Sequence, residues 1–229
     1  RSREAAAGVY MDLAHNMHLN VEGYYKHMYN LLEYAGVYSI FPPLTGWESS
    51  YKTGKGRSWG AEIDFGYDNG RTEANLYYTL SWTQRKFDDF HRGWYPDRND
   101  NRHKLTLMAK HKFGKRLEVY GAWNWHSGNR LTMASHYTEG RYGNSVYAQP
   151  NNVKLPDYHR LDVGLNFVKT TKRGNTSIWN LSIYNAYCRT NPISAFEDMT
   201  VRDNKVLAYY GLAVGIIPIV PTFSYTLKF

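Results

Sequence analysis

Apolar and polar residues alternate strictly along much of this chain, the period expected of a strand whose two faces meet different surroundings. From Met17 one face reads Met17, Leu19, Val21 and Tyr25, and the other His18, Asn20, Glu22 and Lys26. Ala74, Leu76, Tyr78, Leu80 and Trp82 stand against Glu73, Asn75, Thr79, Thr83 and Arg85. Leu117, Val119, Trp123 and Trp125 oppose Glu118, Tyr120, Asn124 and His126, and Leu161, Val163, Leu165 and Phe167 oppose Arg160, Asp162 and Asn166. At the end Phe223, Tyr225, Leu227 and Phe229 oppose Thr222, Ser224, Thr226 and Lys228. The pattern predicts nine strands, at about 4–14, 17–30, 57–68, 71–86, 102–113, 116–127, 157–170, 176–190 and 205–229. Each is close to or longer than the roughly 9–11 residues a tilted strand needs to cross a bilayer, whereas strands of soluble proteins are nearer about 5–6.

The connections alternate in length. Short turns are expected at Ala14-His15-Asn16, Asp68-Asn69-Gly70, Gly114-Lys115 and Lys172-Arg173-Gly174-Asn175, which carry the Gly, Asn and Asp chemistry of tight hairpins. Between them lie long segments at 31–56, 87–101, 128–156 and around 191–204. Short turns at one end and long loops at the other mark an outer-membrane barrel. The polar face holds Glu62, Asp64, Glu73, Lys104, Lys110, Glu118, Arg160 and Asp162 inside strands. In a soluble sheet these would form a solvated face, and in a barrel they would line a wet lumen. Strand length and loop asymmetry favour the barrel. Nine is an odd number, bacterial barrels of one chain close with an even one, and an open edge in lipid is not tolerated. The expectation is part of a larger barrel, with the remaining strands upstream or on another chain.

Composition agrees with this reading. Mean hydropathy is −0.62, and the longest apolar run, Leu212 to Pro221, is interrupted by prolines. No run approaches the roughly 20 residues of a transmembrane helix, and no basic-then-apolar leader opens the chain. Aromatic residues make up 16%, with 21 tyrosines, as suits side chains at a membrane interface. The net charge of +8 is spread along the chain and matched locally by Asp and Glu, so no nucleic-acid partner is expected. Cys188 is alone, which leaves neither a disulfide framework nor a cysteine metal site.

Several stretches carry a family resemblance: Arg102-His103-Lys104-Leu105, Trp123-Asn124-Trp125-His126-Ser127-Gly128, and Leu155-Pro156-Asp157-Tyr158-His159-Arg160-Leu161-Asp162-Val163. Trp179 to Asn185, Asn191-Pro192, and Ile217-Pro218-Ile219-Val220-Pro221-Thr222-Phe223-Ser224-Tyr225 extend it. As a set they resemble the C-terminal region of TonB-dependent outer-membrane receptors, particularly those of Bacteroidetes type. The resemblance implies an all-β, antiparallel transmembrane barrel of about 22 strands, a size class with a plugged lumen. Residues 1–229 would then be its C-terminal part, with the plug domain, the TonB box and the earlier strands outside this chain. Phe223, Tyr225, Leu227 and Phe229 match the family's terminal barrel-assembly signal.

The same resemblance implies location in the outer membrane of a Gram-negative bacterium and energised uptake of a scarce nutrient such as a siderophore, haem, vitamin or oligosaccharide. The implied partners are outer-membrane lipid, the rest of the barrel and plug, and TonB acting through the plug. A surface lipoprotein lid is left open. Glu62, Asp64, Glu73, Lys104, Glu118, Arg160 and Asp162 would face the lumen and seat the plug. Trp47, Tyr51, Trp94, Tyr95, Arg98, Arg130, Tyr137, Arg141, Tyr142 and Tyr147 in the long loops are the ligand-binding candidates, because aromatic faces stack on flat or sugar ligands and Arg pairs with carboxylates or phosphates. The contrary reading is an interfacial girdle with ordinary loop polarity, on a passive porin or a surface-binding barrel. Asp88-Asp89-Phe90-His91 lacks a matching second pair for activating water, and His126 and His136 lack a third metal ligand, so no enzyme, cofactor or metal is expected.

Overall fold

The computed structural model describes residues 1–13, 15–34, 46–137, 145–172, 174–202, 205–215 and 218–229. Nine of its strands form one antiparallel wall in which sequence neighbours are also spatial neighbours. They are numbered here β1 (Ser2–Leu13), β2 (Met17–Tyr34), β3 (Tyr51–Asp68), β4 (Thr72–Lys86) and β5 (His103–Phe113), followed by β6 (Leu117–His126), β7 (Tyr158–Thr170), β8 (Thr176–Tyr184) and β9 (Val220–Lys228). Among the described residues the sheet does not close: β1 pairs only with β2, and β9 only with β8. No helix there is long and apolar enough to cross a membrane, which says nothing about crossing by strands.

Register turns the alternation of each strand into two continuous faces. Val21 lies opposite Ile63, Phe65 opposite Leu76, Leu76 opposite Leu107, and Leu107 opposite Trp123. The row continues with Leu161 opposite Trp123, then Leu165 opposite Leu181 and Leu181 opposite Phe223. One face is therefore apolar from edge to edge. It is also exposed: Leu107, Leu165, Leu181 and Phe223 are 38%, 38%, 49% and 63% accessible. Described hydrophobic residues that are buried number only three, Phe87, Tyr95 and Leu155. A wall whose apolar side chains lie on its outside, with almost no inner core, is built for a lipid solvent.

The short turns form as their residues require. His15 and Asn16 take left-handed φ of 66° and 60°, and Gly70 and Gly114 take 79° and 71°. At 69–71 the Asn69 carboxamide oxygen accepts from the N–H groups of Arg71 and Thr72 at 3.0 and 2.7 Å, and Asp68 accepts from Gly70 N–H at 2.7 Å. Ala14, Arg173 and Ile217 of the expected motifs lie outside the described residues.

Three expectations need correction. Strands β2 and β3 run on to Tyr34 and from Tyr51, into what was expected as loop, past a register shift between Met28 and Leu31. The strand expected at 176–190 ends at Tyr184, because Asn185 turns the chain with φ 55° and its side chain binds the backbone of Arg189. The expected strand 205–229 is two: Lys205–Val214 pairs with Ser194–Arg202 in a separate hairpin, and only Val220–Lys228 joins the wall. Two smaller pairs, Arg130–Leu131 with Val153–Lys154 and His136–Tyr137 with Ser145–Val146, organise the connection after β6.

Candidate functional site

The polar face is charged, and its signs are sorted. On β1–β4 it carries Glu4, Asp12, Glu22, Glu62, Asp64 and Glu73, with Lys26 and Arg85 as the bases there; on β5–β9 it carries Lys104, Lys110, Lys112, Arg160 and Lys228, with Glu118 and Asp162 as the acids there. At the seam, Lys110 of β5 is ion-paired with Glu73 of β4. Lys26 holds Glu4 at 3.0 Å. Deeper in the acidic part, Glu22 lies directly opposite Glu62, and neither has an ion pair among the described residues. Like charges facing each other across a ladder are destabilising unless something cationic lies over them. Next to them Asp64 Oδ1 makes no hydrogen bond, and its nearest cation source is His18 Nε2 at 3.7 Å.

The basic part is braced by hydrogen bonds. Arg160 reaches Asp162 at 2.8 and 2.9 Å and donates to the hydroxyls of Tyr158 and Tyr184 at 3.0 and 2.6 Å, with its guanidinium 4.0 Å from the Tyr184 ring centroid. Asn166 donates to Glu118 at 2.8 Å, and Asn180 donates to Asn166 at 2.7 Å and to the Tyr120 hydroxyl at 2.8 Å. Tyr120 spans from β6 to β8 because Gly164 of β7 leaves room; a Cβ there would collide with the phenol ring. All seven residues expected to face the lumen thus lie on the face opposite the apolar one.

At the long-loop end a knot of buried polar groups ties the loops to the strands. Asp97 and Asp100 are 4% and 5% exposed. Arg85 of β4 is ion-paired with Asp97 and reaches Glu33 of β2 at 3.0 Å. Asp100 accepts from Thr83 N–H at 2.9 Å and lies 3.2 and 3.4 Å from Arg102 and Arg130. Asn101 donates to the Ser127 carbonyl at 2.8 Å and to Asn129 at 2.6 Å, while Ser127 Oγ accepts from His103 N–H at 3.0 Å. Asn191 binds both backbone groups of His159 at 3.0 Å, and Gly128 N–H donates to Asp157 at 3.0 Å. Burial favours a neutral Asp157, but Lys154 and the Gly128 amide outweigh it and hold the carboxyl below its ordinary range. The run from Asp97 to Asn101, which the alternation passed over as plain loop polarity, supplies the centre of this knot.

The described ligand-binding candidates differ in their surroundings. Tyr95 is 2% exposed, and burial, then the charge of Glu33, pushes its phenol up to about 12. It is buried against the His91 ring, edge to face with centroids 6.1 Å apart, and is not an open surface. Trp94 lies over Arg57, its centroid 4.3 Å from the guanidinium. Arg130 is engaged with Asp100. Tyr51, Arg98 and Tyr147 are exposed. Arg141 and Tyr142 lie outside the described residues, and of Trp47 and Tyr137 only the backbone is described. Asp88 and Asp89 lie 3.6 and 3.8 Å from Lys86 and Lys52. No group of three metal-ligating side chains occurs among the described residues.

Comparison with known proteins agrees with this geometry. No curated protein sequence matches the chain. Among solved structures it is similar to FpvA of P. aeruginosa, determined in complex with iron and a heterologous pyoverdine. That match has a TM-score of 0.60 at 15% identity, covers 98% of this chain, and takes in 26% of the FpvA chain, so it speaks for the fold. The family description "TonB dependent receptor-like, beta-barrel" matches residues 1–186. A receptor and transporter family of the outer membrane, rather than an enzyme family, is what the two-faced wall fits, and the chain belongs to the TonB-dependent receptor-like β-barrel family.

Proposed function

We propose that these 229 residues form the C-terminal wall of an active outer-membrane transporter that takes up a scarce, bulky nutrient: an iron chelate, haem, a vitamin or an oligosaccharide. The family match over residues 1–186 carries the reading. The sorted charges of the polar face support a seated plug rather than an open pore. Glu22 and Glu62 face each other without a cation, and a plug bearing Lys or Arg there would relieve them. Glu62, Asp64 and Glu73 would take the basic side of the plug, and Lys104, Arg160 and their neighbours its acidic side, with Glu118 and Asp162 orienting them. Tyr51 at the start of β3 and Arg98 and Tyr147 in the loops are the exposed candidates that would meet a ligand from outside.

Uptake decides between this reading and a passive porin or binding barrel. Cells carrying the whole receptor are given labelled candidate nutrients, with TonB functional or inactivated. Saturable accumulation that stops without TonB is expected. Uptake that persists without TonB, with ion conduction by the purified receptor in a planar bilayer, would establish a porin; surface binding without accumulation would establish a binder.

A further inference from the structure

The apolar face is not apolar at its long-loop rim. Arg3 is the register partner of His27, and His27 is the partner of Arg57, so three basic side chains form one row across β1, β2 and β3. One step further out Lys55 faces Lys86. The neighbouring same-face positions Ala5, Tyr25, Trp59, Trp82 and Gln84 offer no carboxylate. Among the described residues Arg3, His27, Lys55 and Arg57 have no ion pair, while Lys86 lies 3.6 Å from Asp88. The molecule does not lack acids, since Glu22 and Glu62 stand unpaired on the opposite face of the same strands.

The row is held in place by neutral groups. Arg57 donates twice to Gln84 Oε1, at 2.8 and 2.6 Å. Its guanidinium lies 4.3 Å from the Trp94 ring centroid and 5.3 Å from that of Trp59, which itself stacks on Trp82 at 6.0 Å. Arg3 lies 5.9 Å from the Tyr29 ring, and His27 lies 4.4 Å from the same ring. Aromatic faces position a cation without neutralising it. A guanidinium so positioned keeps Nη donors for a two-pronged contact with two oxygens of an anion such as phosphate. At the other end of the same face, Lys169 of β7 faces the uncharged Ser177 of β8.

Resting on the reading of this face as lipid-facing and the long loops as extracellular, we propose that Arg3, His27 and Arg57 dock the phosphate-bearing headgroup of an outer-leaflet lipid. Charge complementarity selects this occupant. A row of cations at the height where tails end and headgroups begin meets a phosphate, and the aromatic rings beside it meet the upper acyl and sugar region. Arg57 supplies the two-pronged contact, Arg3 a second cation and His27 a donor between them.

The test uses the whole receptor in phosphatidylcholine vesicles doped with lipid A or with dephosphorylated lipid A, retained lipid being counted by native mass spectrometry. The expected result is that the R3Q/R57Q receptor retains about tenfold less lipid A. K169Q, a charge loss at the opposite rim of the same face, should behave as wild type, and dephosphorylated lipid A should be retained weakly by all. Equal retention by wild type and R3Q/R57Q, or equal retention of the two lipids, overturns the proposal. Should the double variant fail to insert, R57K keeps the charge but loses the fork and is expected to bind several-fold less; wild-type binding by R57K is the contrary result. A receptor that never enters the bilayer overturns the membrane reading itself, whereas one that inserts and transports without discriminating the lipids overturns the docking site alone.

Discussion

The two rims of this wall are built on opposite principles. At the short-turn rim the connections are shaped by their own residues: Asn69 and Asp68 accept from the N–H groups that follow them, and Gly70 and Gly114 supply the left-handed positions. Lys112 of β5 adds contacts to Gly70 and Arg71 at 3.1 Å. At the long-loop rim the connections are held by side chains far apart in sequence. Glu33 and Arg85 are 52 residues apart, and Asn151 donates to the Pro96 carbonyl from 55 residues away. A turn can be local because only a few backbone groups need partners. A long loop brings many, and where it folds back against strand ends the buried ones must be satisfied by polar side chains. The difference shows what ties the loop rim together: the polar knot around Asp97 and Asp100, set beside the buried Phe87, Tyr95 and Leu155.

Breaking the knot should give the largest effect. Asp97→Ala leaves the Arg85 guanidinium at the loop base with Glu33 as its remaining anion. Removing one partner of such a pair costs about 3 kcal/mol. In the whole receptor, amides of 87–102 should then exchange about a hundredfold faster, while those at 69–71 keep their wild-type rates. Unchanged exchange at 87–102 would mean that Phe87 and Tyr95, not the ion pairs, hold the loop.

The matching change at the other rim should be smaller and should stay local. Gly70 has φ 79° and open space where a Cβ would project, so Gly70→Ala meets no clash and costs only its backbone conformation, about 1–2 kcal/mol. Faster exchange at 69–72 without change at 87–102 is expected. If both rims loosen together, the wall transmits strain along its strands and the two rims are not independent units.

The same contrast accounts for what the sequence made legible. The nine wall strands could be read because each alternates within itself, as in Leu161, Val163, Leu165 and Phe167, and the short turns because their chemistry is local. The stretch from Val206 to Val214 has a nearly continuous apolar run, which fits a strand but does not name its partner; it went to Ser194–Arg202 and left the wall to Val220–Lys228. The knot and the Arg3–His27–Arg57 row were not legible because both exist only through register: alternation says which face a residue joins, not which residue three strands away stands beside it. The burial of Tyr95 was not legible for a related reason, since an aromatic in a polar loop reads as exposed until the loop is seen folded over it.

The smallest expected effect lies at Asp157, at the base of the loop that follows β6. Asp157 links Gly128 N–H to Lys154 at 3.0 and 2.9 Å, and its folded carboxyl titrates below the ordinary value near 3.8. A depressed acid stabilises the form that is folded and charged. Its contribution is therefore complete above the unfolded value and is lost as pH falls through the folded one. Asp157 and Lys154 are both more than a third exposed, so solvent screening limits the pair to less than about 1 kcal/mol. Between pH 7 and 5 exchange at the Gly128 amide should hold constant after correction for its intrinsic pH dependence, and protection should fall only below about pH 4. Asp157→Asn should abolish that acid step, because the amide oxygen still accepts from Gly128 but carries no titrating charge. An acid step that survives in Asp157→Asn would show that the carboxyl of Asp157 is not its source, and would remove the Lys154 ion pair as the acid-sensitive contact at Gly128.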